Sequence, residues 1–205
     1  MTLQSYRHRI RPGAPGAPIL FAFHGTGGDE NQFFDFAARL MPGATIVSPR
    51  GDVSEGGALR FFRRRGEGVY DMEDLAVRRL ALAAFVKAQR EEAEAGAAFG
   101  LGYSNGANIL AAMMLEDGAL FDGALLMHPL IPWDPEPNAA LRGRDVVITA
   151  GRHDPICPPD RTEALAAYFR SQGAKLDLVW HDGGHDIRPV EIEAAKVFAG
   201  RLAGA

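Results

Sequence analysis

Cysteine is nearly absent: Cys157 is the single one in 205 residues. No disulfide can form within the chain, and no cysteine-cluster metal site is available to it. Long apolar runs are missing as well. No stretch approaches the ~18 uninterrupted apolar residues of a membrane span, and Met1–His8 lacks the apolar segment of a signal peptide. Neither sign of charge dominates, with 22 Lys and Arg against 26 Asp and Glu and a net charge of −4. That balance favours neither nucleic acid nor an anionic membrane as a partner. There is no internal repeat and no low-complexity tract. The expectation is a soluble, cytoplasmic chain forming one domain over residues 1–205, long enough to bury well over half of its unfolded surface.

What is present is a series of short apolar runs alternating with helix-favouring stretches. The runs are 19–23, 44–48, 97–103, 122–128, 145–151 and 176–180, with a loosely alternating edge strand at 3–10. Runs without charge suit strands buried on both faces. Helices are expected from Asp29 as N-cap to Leu40, from Asp71 to about Glu94, after Ser104, from Pro158 to Gln172, and from Arg188 to about Leu202. This pattern gives an α/β class with one mostly parallel sheet of about seven strands and helices on both faces. Residues 51–70 fit neither helix nor strand, and 129–144 are proline-rich and irregular. A loop as long as 51–70 in a compact domain points to function, since Phe61-Phe62 argues against disorder.

The run 97–103 closes on Gly102-Tyr103-Ser104-Asn105-Gly106 and then enters Ala107–Leu115. Strand, G-x-S-x-G and helix in that order form the context of a nucleophile elbow, which pushes the serine hydroxyl clear of the sheet edge. Serine is a poor nucleophile at neutral pH and needs a histidine base, itself oriented by a carboxylate. On a parallel sheet these should follow as Ser, acid, His, each after a strand end. Asp154 lies just after the run 145–151, and His185 just after 176–180. Asp160 competes for the acid but stands where a helix cap belongs. His181 competes for the base but precedes the Gly183-Gly184 loop that frees His185. Asp182 and Asp186 read as loop or cap residues, and His153 as exposed.

An oxyanion hole needs backbone N–H groups aimed at the developing charge. Asn105, the residue after the serine, supplies one. Thr26, in Gly25-Thr26-Gly27-Gly28 after the run 19–23, supplies the other. These glycines are not a phosphate loop: neither G-x-x-x-x-G-K-[ST] nor G-x-G-x-x-G is present, and no lysine stands nearby. The substrate pocket is expected to involve Gly25, Phe61, Phe62, Tyr103, His128 and Ile156, with packing of Phe61, Phe62 and His128 into the core as the competing reading. Arg60, Arg63, Arg64 and Arg65 form a basic cluster that reads as a solvated loop face or an anion-binding rim. Cys157 has no second histidine–acid pair and reads as an inert or pocket-lining thiol.

The segments His24–Glu30, Gly102–Asn108, Gly151–Pro158 and Gly184-His185 together resemble the carboxylesterase/phospholipase branch of the α/β-hydrolases, which includes the acyl-protein thioesterases. Arg60-Phe61-Phe62-Arg63-Arg64 and His128-Pro129 make the likeness closest to its bacterial hydroquinone-resistance esterase-like members. The resemblance spans essentially the whole chain. It implies an α/β-hydrolase core without a large cap. By position it makes Ser104 the nucleophile, Asp154 the acid, His185 the base, and Thr26 and Asn105 the oxyanion hole. Two features depart from the thioesterase members. Asn105 stands where they usually have glutamine, and Phe61-Phe62-Arg63 stands where they have an aromatic-aromatic-aspartate segment. The expected function is therefore a serine carboxylesterase for small esters. It would work through an acyl-enzyme, without metal or cofactor, and as a homodimer on base rates. A lysophospholipase or acyl-thioesterase is the alternative within enzymes. A non-catalytic hydrolase-fold binder of a small molecule is the alternative outside them.

Overall fold

The computed structural model describes residues 6–203. A seven-stranded sheet is made of β1 (His8–Arg11), β2 (Ile19–Phe23), β3 (Thr45–Pro49), β8 (Ala98–Tyr103), β9 (Gly123–Met127), β10 (Asp145–Gly151) and β11 (Lys175–His181). Between β3 and β8 lie four short strands, β4 (Val53–Glu55), β5 (Ala58–Arg60), β6 (Arg64–Gly66) and β7 (Val69–Tyr70). The helices are α1 (Phe34–Leu40), α2 (Met72–Glu92), α3 (Asn105–Glu116), α4 (Pro159–Ser171) and α5 (Pro189–Ala203). The sheet order is β1-β3-β2-β8-β9-β10-β11, with β1 antiparallel to β3 and every other pairing parallel.

Every residue of β2, β3 and β9 is buried, as strands covered on both faces require. Alternation along β2 divides the core in two. Ile19, Phe21 and Phe23 pack with Leu75, Leu82, Ile109 and Leu165 from α2, α3 and α4. Leu20 and Ala22 pack with Phe34 and Phe198 from α1 and α5. The parallel strands end at one edge, so the segments after Phe23, Tyr103, Gly151 and His181 meet there. In open parallel sheets this edge is where ligands bind.

Three elements differ from expectation. The helix expected from Asp29 begins at Phe34. Asp29 satisfies a local turn instead, its Oδ1 accepting from the Asn31 N–H at 2.9 Å. Glu30, nearly buried, is held by Arg7 and Arg50 and fixes that turn. The stretch 51–70 is not an irregular loop: β4 pairs with β5 and β6 with β7, each antiparallel. The first hairpin turns on Gly56 and Gly57, both at positive φ, as a tight two-residue turn demands. The N-cap of α4 is Pro158, so Asp160 lies inside the first turn. Residues 3–5 of the expected edge strand lie outside the described residues, and β1 covers the rest from His8. The stretch 129–144 is irregular as expected, apart from a single 3-10 turn at Ala139–Leu141.

Candidate active site

Ser104 sits at the junction of β8 and α3 with φ 51° and ψ −117°, a conformation strained for any residue with a side chain. The surroundings impose it. The Ser104 N–H donates to Met127 O on β9 at 2.9 Å. A Cβ at Gly102 would lie 2.6 Å from the carbonyl oxygen of Gly106, and one at Gly106 would lie 2.3 Å from that of Phe23. Only glycine lets strand and helix approach this closely.

The Ser104 hydroxyl donates to His185 Nε2 at 2.8 Å. His185 Nδ1 faces Asp154 Oδ2 at 2.7 Å, so Nδ1 carries the ring proton and Nε2 is left to accept. Tyr103 holds the histidine from behind, its hydroxyl donating to His185 O at 2.8 Å. The glycine loop ahead of His185 passes tightly over the end of β10, where a Cβ at Gly151 would meet Gly184 O at 2.1 Å. The other Asp154 oxygen accepts the N–H groups of Ile156 and Cys157 at 2.8 and 3.0 Å. Burial opposes ionisation of Asp154, but hydrogen bonds from His128 and His185 and from these two amides outweigh it. They hold the carboxyl well below the usual carboxylate range.

Behind this pair lies a buried polar chain. His128 Nδ1 also faces Asp154 Oδ2, at 2.7 Å, and its Nε2 lies 3.1 Å from Glu191 Oε1. Both ring nitrogens therefore meet carboxylates, which favours the imidazolium. Burial opposes the charge, yet the hydrogen bond to Asp154 and the closeness of the Glu191 carboxylate raise the His128 pKa from 6.5 to about 9. His128 itself is held at φ 52°. Glu191 also accepts from Thr149 Oγ1 at 2.5 Å and from the Arg188 N–H at 2.7 Å. His181 Nε2 approaches the same carboxylate at 3.2 Å. Neither histidine Nε2 is aligned on a Glu191 oxygen as in an ordinary hydrogen bond, so both contacts with Glu191 are close electrostatic ones.

His128, His181 and Glu191 are close enough to suggest a metal site. The donor chemistry does not fit one. His181 Nδ1 accepts the Gly183 N–H at 3.0 Å, so the proton sits on Nε2, the atom a metal would need bare.

A cavity of about 240 Å³ opens over Ser104, with Thr26, Asn105 and His185 in its wall. Asn105 is at the first position of α3, where the N–H has no partner within the helix. Its side-chain Oδ1 accepts from the Phe61 N–H at 2.7 Å. Thr26 follows β2, and the loop is tied to β5 through Gly27 N–H to Leu59 O at 2.9 Å. Among the described residues, no hydrogen bond engages the Thr26 N–H.

No protein-family model matches the chain. A Bacillus subtilis protein named "Putative hydrolase MhqD" is 37% identical over 180 residues, which are 87% of this chain and 90% of that protein. The chain belongs to the carboxylesterase/phospholipase family of α/β-hydrolases, in its hydroquinone-resistance esterase-like branch. Among solved structures, the carboxylesterase of Bacillus cereus is 34% identical with a TM-score of 0.89, covering 96% of this chain and 94% of that one. The protein Atu2452 of unknown function from Agrobacterium tumefaciens is 56% identical with a TM-score of 0.92, covering 100% and 98%. This chain is thus an ester hydrolase of the α/β-hydrolase fold.

Within this esterase the structure brings together Ser104, Asp154, His185, Thr26 and Asn105, as well as Tyr103 and Ile156, which border the cavity. Four expected pocket residues are placed elsewhere. Phe61 and Phe62 turn inward to the core, where Phe61 packs on Phe23 and Phe62 on Tyr70. Gly25 is packed against the Tyr103 ring, leaving no room for a Cβ. His128 is fully buried and bonded to Asp154. Cys157 is buried too. Burial pushes its thiol up, and its Sγ meets His128 O at 3.2 Å, so it is packed as an inert group. His153 is exposed, as expected. Sequence reasoning missed Glu191 and the linking role of His128. A histidine at a strand end beside the elbow was the available signal for His128. Glu191, in the first turn of α5, offered none.

Proposed function

We propose that the protein is a serine carboxylesterase for small esters. Ser104 Oγ attacks the ester carbonyl carbon while its proton passes to His185 Nε2. Asp154 keeps that ring in the accepting tautomer and stabilises the cation it becomes. The N–H groups of Thr26 and Asn105 receive the oxyanion of the tetrahedral intermediate. The intermediate collapses, the alcohol leaves with the proton from His185, and an acyl-Ser104 ester remains. Water then attacks that ester, with its proton going to His185, and the carboxylic acid departs as Ser104 regains a proton. The observation that carries this reading is the continuous line Ser104 Oγ–His185–Asp154, at 2.8 and 2.7 Å, on a strained elbow.

The cavity of about 240 Å³ supports short chains over the long acyl groups of a lysophospholipase or acyl-thioesterase. A rate maximum at long acyl length in a chain-length panel would reverse that preference. Ser104→Ala tests the central claim. Ethyl butyrate hydrolysis, followed by pH-stat, should fall by roughly 10⁴-fold or more with the circular dichroism spectrum unchanged. Labelling by a fluorophosphonate should vanish with it. Undiminished hydrolysis in that variant would remove Ser104 from the mechanism, and absence of labelling in the folded wild type would favour the non-catalytic binder.

A further inference from the structure

The steps above leave the arginine cluster without a task. The structure divides it in two. Arg63 and Arg65 turn to the acidic start of α2, lying 3.3 Å from Asp74 and 3.9 Å from Asp71. Arg60 and Arg64 instead line the cavity that holds Ser104 and His185. Arg60 is only 4% exposed. Its Nη1 donates to Thr26 Oγ1 at 2.8 Å and its Nε to Phe62 O at 3.2 Å, which fixes the guanidinium beside the oxyanion loop. Arg64 Nε lies 3.0 Å from each oxygen of Glu55, and Arg60 Nε lies 3.4 Å from the same carboxylate. One carboxylate thus serves two guanidiniums. Burial first, and then the nearby Arg64, push the Arg60 pKa down, as when like charges face each other.

A buried arginine is costly unless an anion compensates it. Among the described residues, Glu67 is the one other Asp, Glu, Lys or Arg in the cavity wall. It stands 3.7 Å from Arg64 and its side chain is 60% exposed, so water screens most of its effect. Beside Thr26, Arg60 and Arg64 therefore have only the solvated Glu55 and Glu67 as counter-charges, in the wall of the same cavity as Ser104. A planar guanidinium matches a carboxylate in geometry as well as charge.

We propose that Arg60 and Arg64 bind a carboxylate carried by the substrate, so that the preferred substrate is a short ester with a free carboxylate near the scissile carbonyl. This rests on the serine-esterase reading. The carboxylate takes no part in bond making. It orients the ester so that its carbonyl oxygen meets the Thr26 and Asn105 amides.

The test compares three esters in a pH-stat at neutral pH. Ethyl butyrate is neutral. Monoethyl succinate has the same acyl length with a carboxylate on the acyl side, and O-butyryl glycolate places the carboxylate on the alcohol side. For the wild type, kcat/KM for one of the two anionic esters should exceed that for ethyl butyrate by about tenfold or more. The favoured one identifies the side of the scissile bond that the arginines read. Arg60→Met with Arg64→Gln should lower that anionic-to-neutral ratio by about tenfold or more, largely through KM. Arg64 is partly exposed, so Arg64→Gln alone serves if the double variant does not fold, with a fall of about threefold. Anionic esters turned over no better than ethyl butyrate by the wild type would overturn the proposal, as would a ratio unmoved in a folded Arg64→Gln variant. Loss of ethyl butyrate hydrolysis in Ser104→Ala is independent of both. A protein that passes that test and shows no anionic preference loses this inference alone.

Discussion

Behind Ser104 the ionisable groups are shielded from water and packed against one another; in front of it they line a cavity open to solvent. The rear side runs from His185 through Asp154 and His128 to Glu191 and His181. Its carboxylates and imidazoles alternate, and the side chains of Asp154, His128 and Glu191 are fully buried. The front side is Arg60 and Arg64, set on two small hairpins and sharing Glu55. The rear grows from the ends of β9, β10 and β11 and the start of α5, all fixed to the sheet. The front grows from short strands that pair only with each other. Rigid, buried groups suit the proposed proton relay, whose geometry must be the same for every ester. Groups on hairpins at the wall of an open cavity suit recognition, which can vary without moving that relay.

The sharpest break of the rear side is at Asp154. Asp154→Asn presents an amide to two Nδ1 donors, so His185 loses its fixed tautomer and His128 one of its two counter-charges. kcat on ethyl butyrate should fall by about 10³- to 10⁴-fold with secondary structure retained. A loss below about tenfold would mean that Asp154 does not orient the base.

A smaller effect separates the relay's electrostatics from its packing. His128 has its pKa raised from 6.5 to about 9 in the folded chain. Its charged form therefore stabilises the fold fully below about pH 6.5, and that contribution is lost as pH rises through about 9. Asp154 and Glu191 are both lowered, so their contributions are present above the ordinary carboxylate range and are lost only in acid. Wild-type stability from urea unfolding should thus decline between pH 6.5 and 9 by about 3 kcal/mol. His128→Gln should be less stable at pH 6.5, since two buried carboxylates lose the cation between them. It should also lack the alkaline decline. The same decline in both proteins would rule out His128 as the titrating group.

The contrast between the two sides also decides what could be read from sequence. Buried parallel strands leave continuous apolar runs, and the candidate residues follow their ends, so the meeting of Ser104, Asp154 and His185 at one sheet edge was legible from position and order. Ile19–Phe23 and Asp145–Gly151 coincide with the strands observed. The hairpins were not legible. Strands of two or three residues carry no periodicity, and Arg64–Gly66 has no apolar side chain to mark a face. From sequence Phe61-Phe62 therefore reads equally as a pocket wall or as core packing. In fact the backbone at Phe61 is anchored to Asn105 and both rings turn into the core, while Arg60, Arg64, Glu67 and Tyr70 of this stretch line the cavity. The Asp154–His128–Glu191 link was hidden for another reason. It joins three separate strand or helix ends, and nothing local to any of them requires the other two.

The finest test of the front side is at Glu67, which faces the cavity and opposes an anionic ester. Glu67→Gln removes that charge and leaves Arg60, Arg64 and Glu55 in place. The ratio of kcat/KM for the favoured anionic ester over ethyl butyrate should rise by about two- to fourfold, because an exposed charge contributes little. The rise should shrink in about 1 M salt, where the screening length is about 3 Å, while the preference set by the more deeply placed Arg60 should persist. A fall in the ratio on removing Glu67 would mean that this carboxylate holds Arg64 in its binding position. The front would then resemble the rear, with its cation fixed by compensation rather than left available to a ligand.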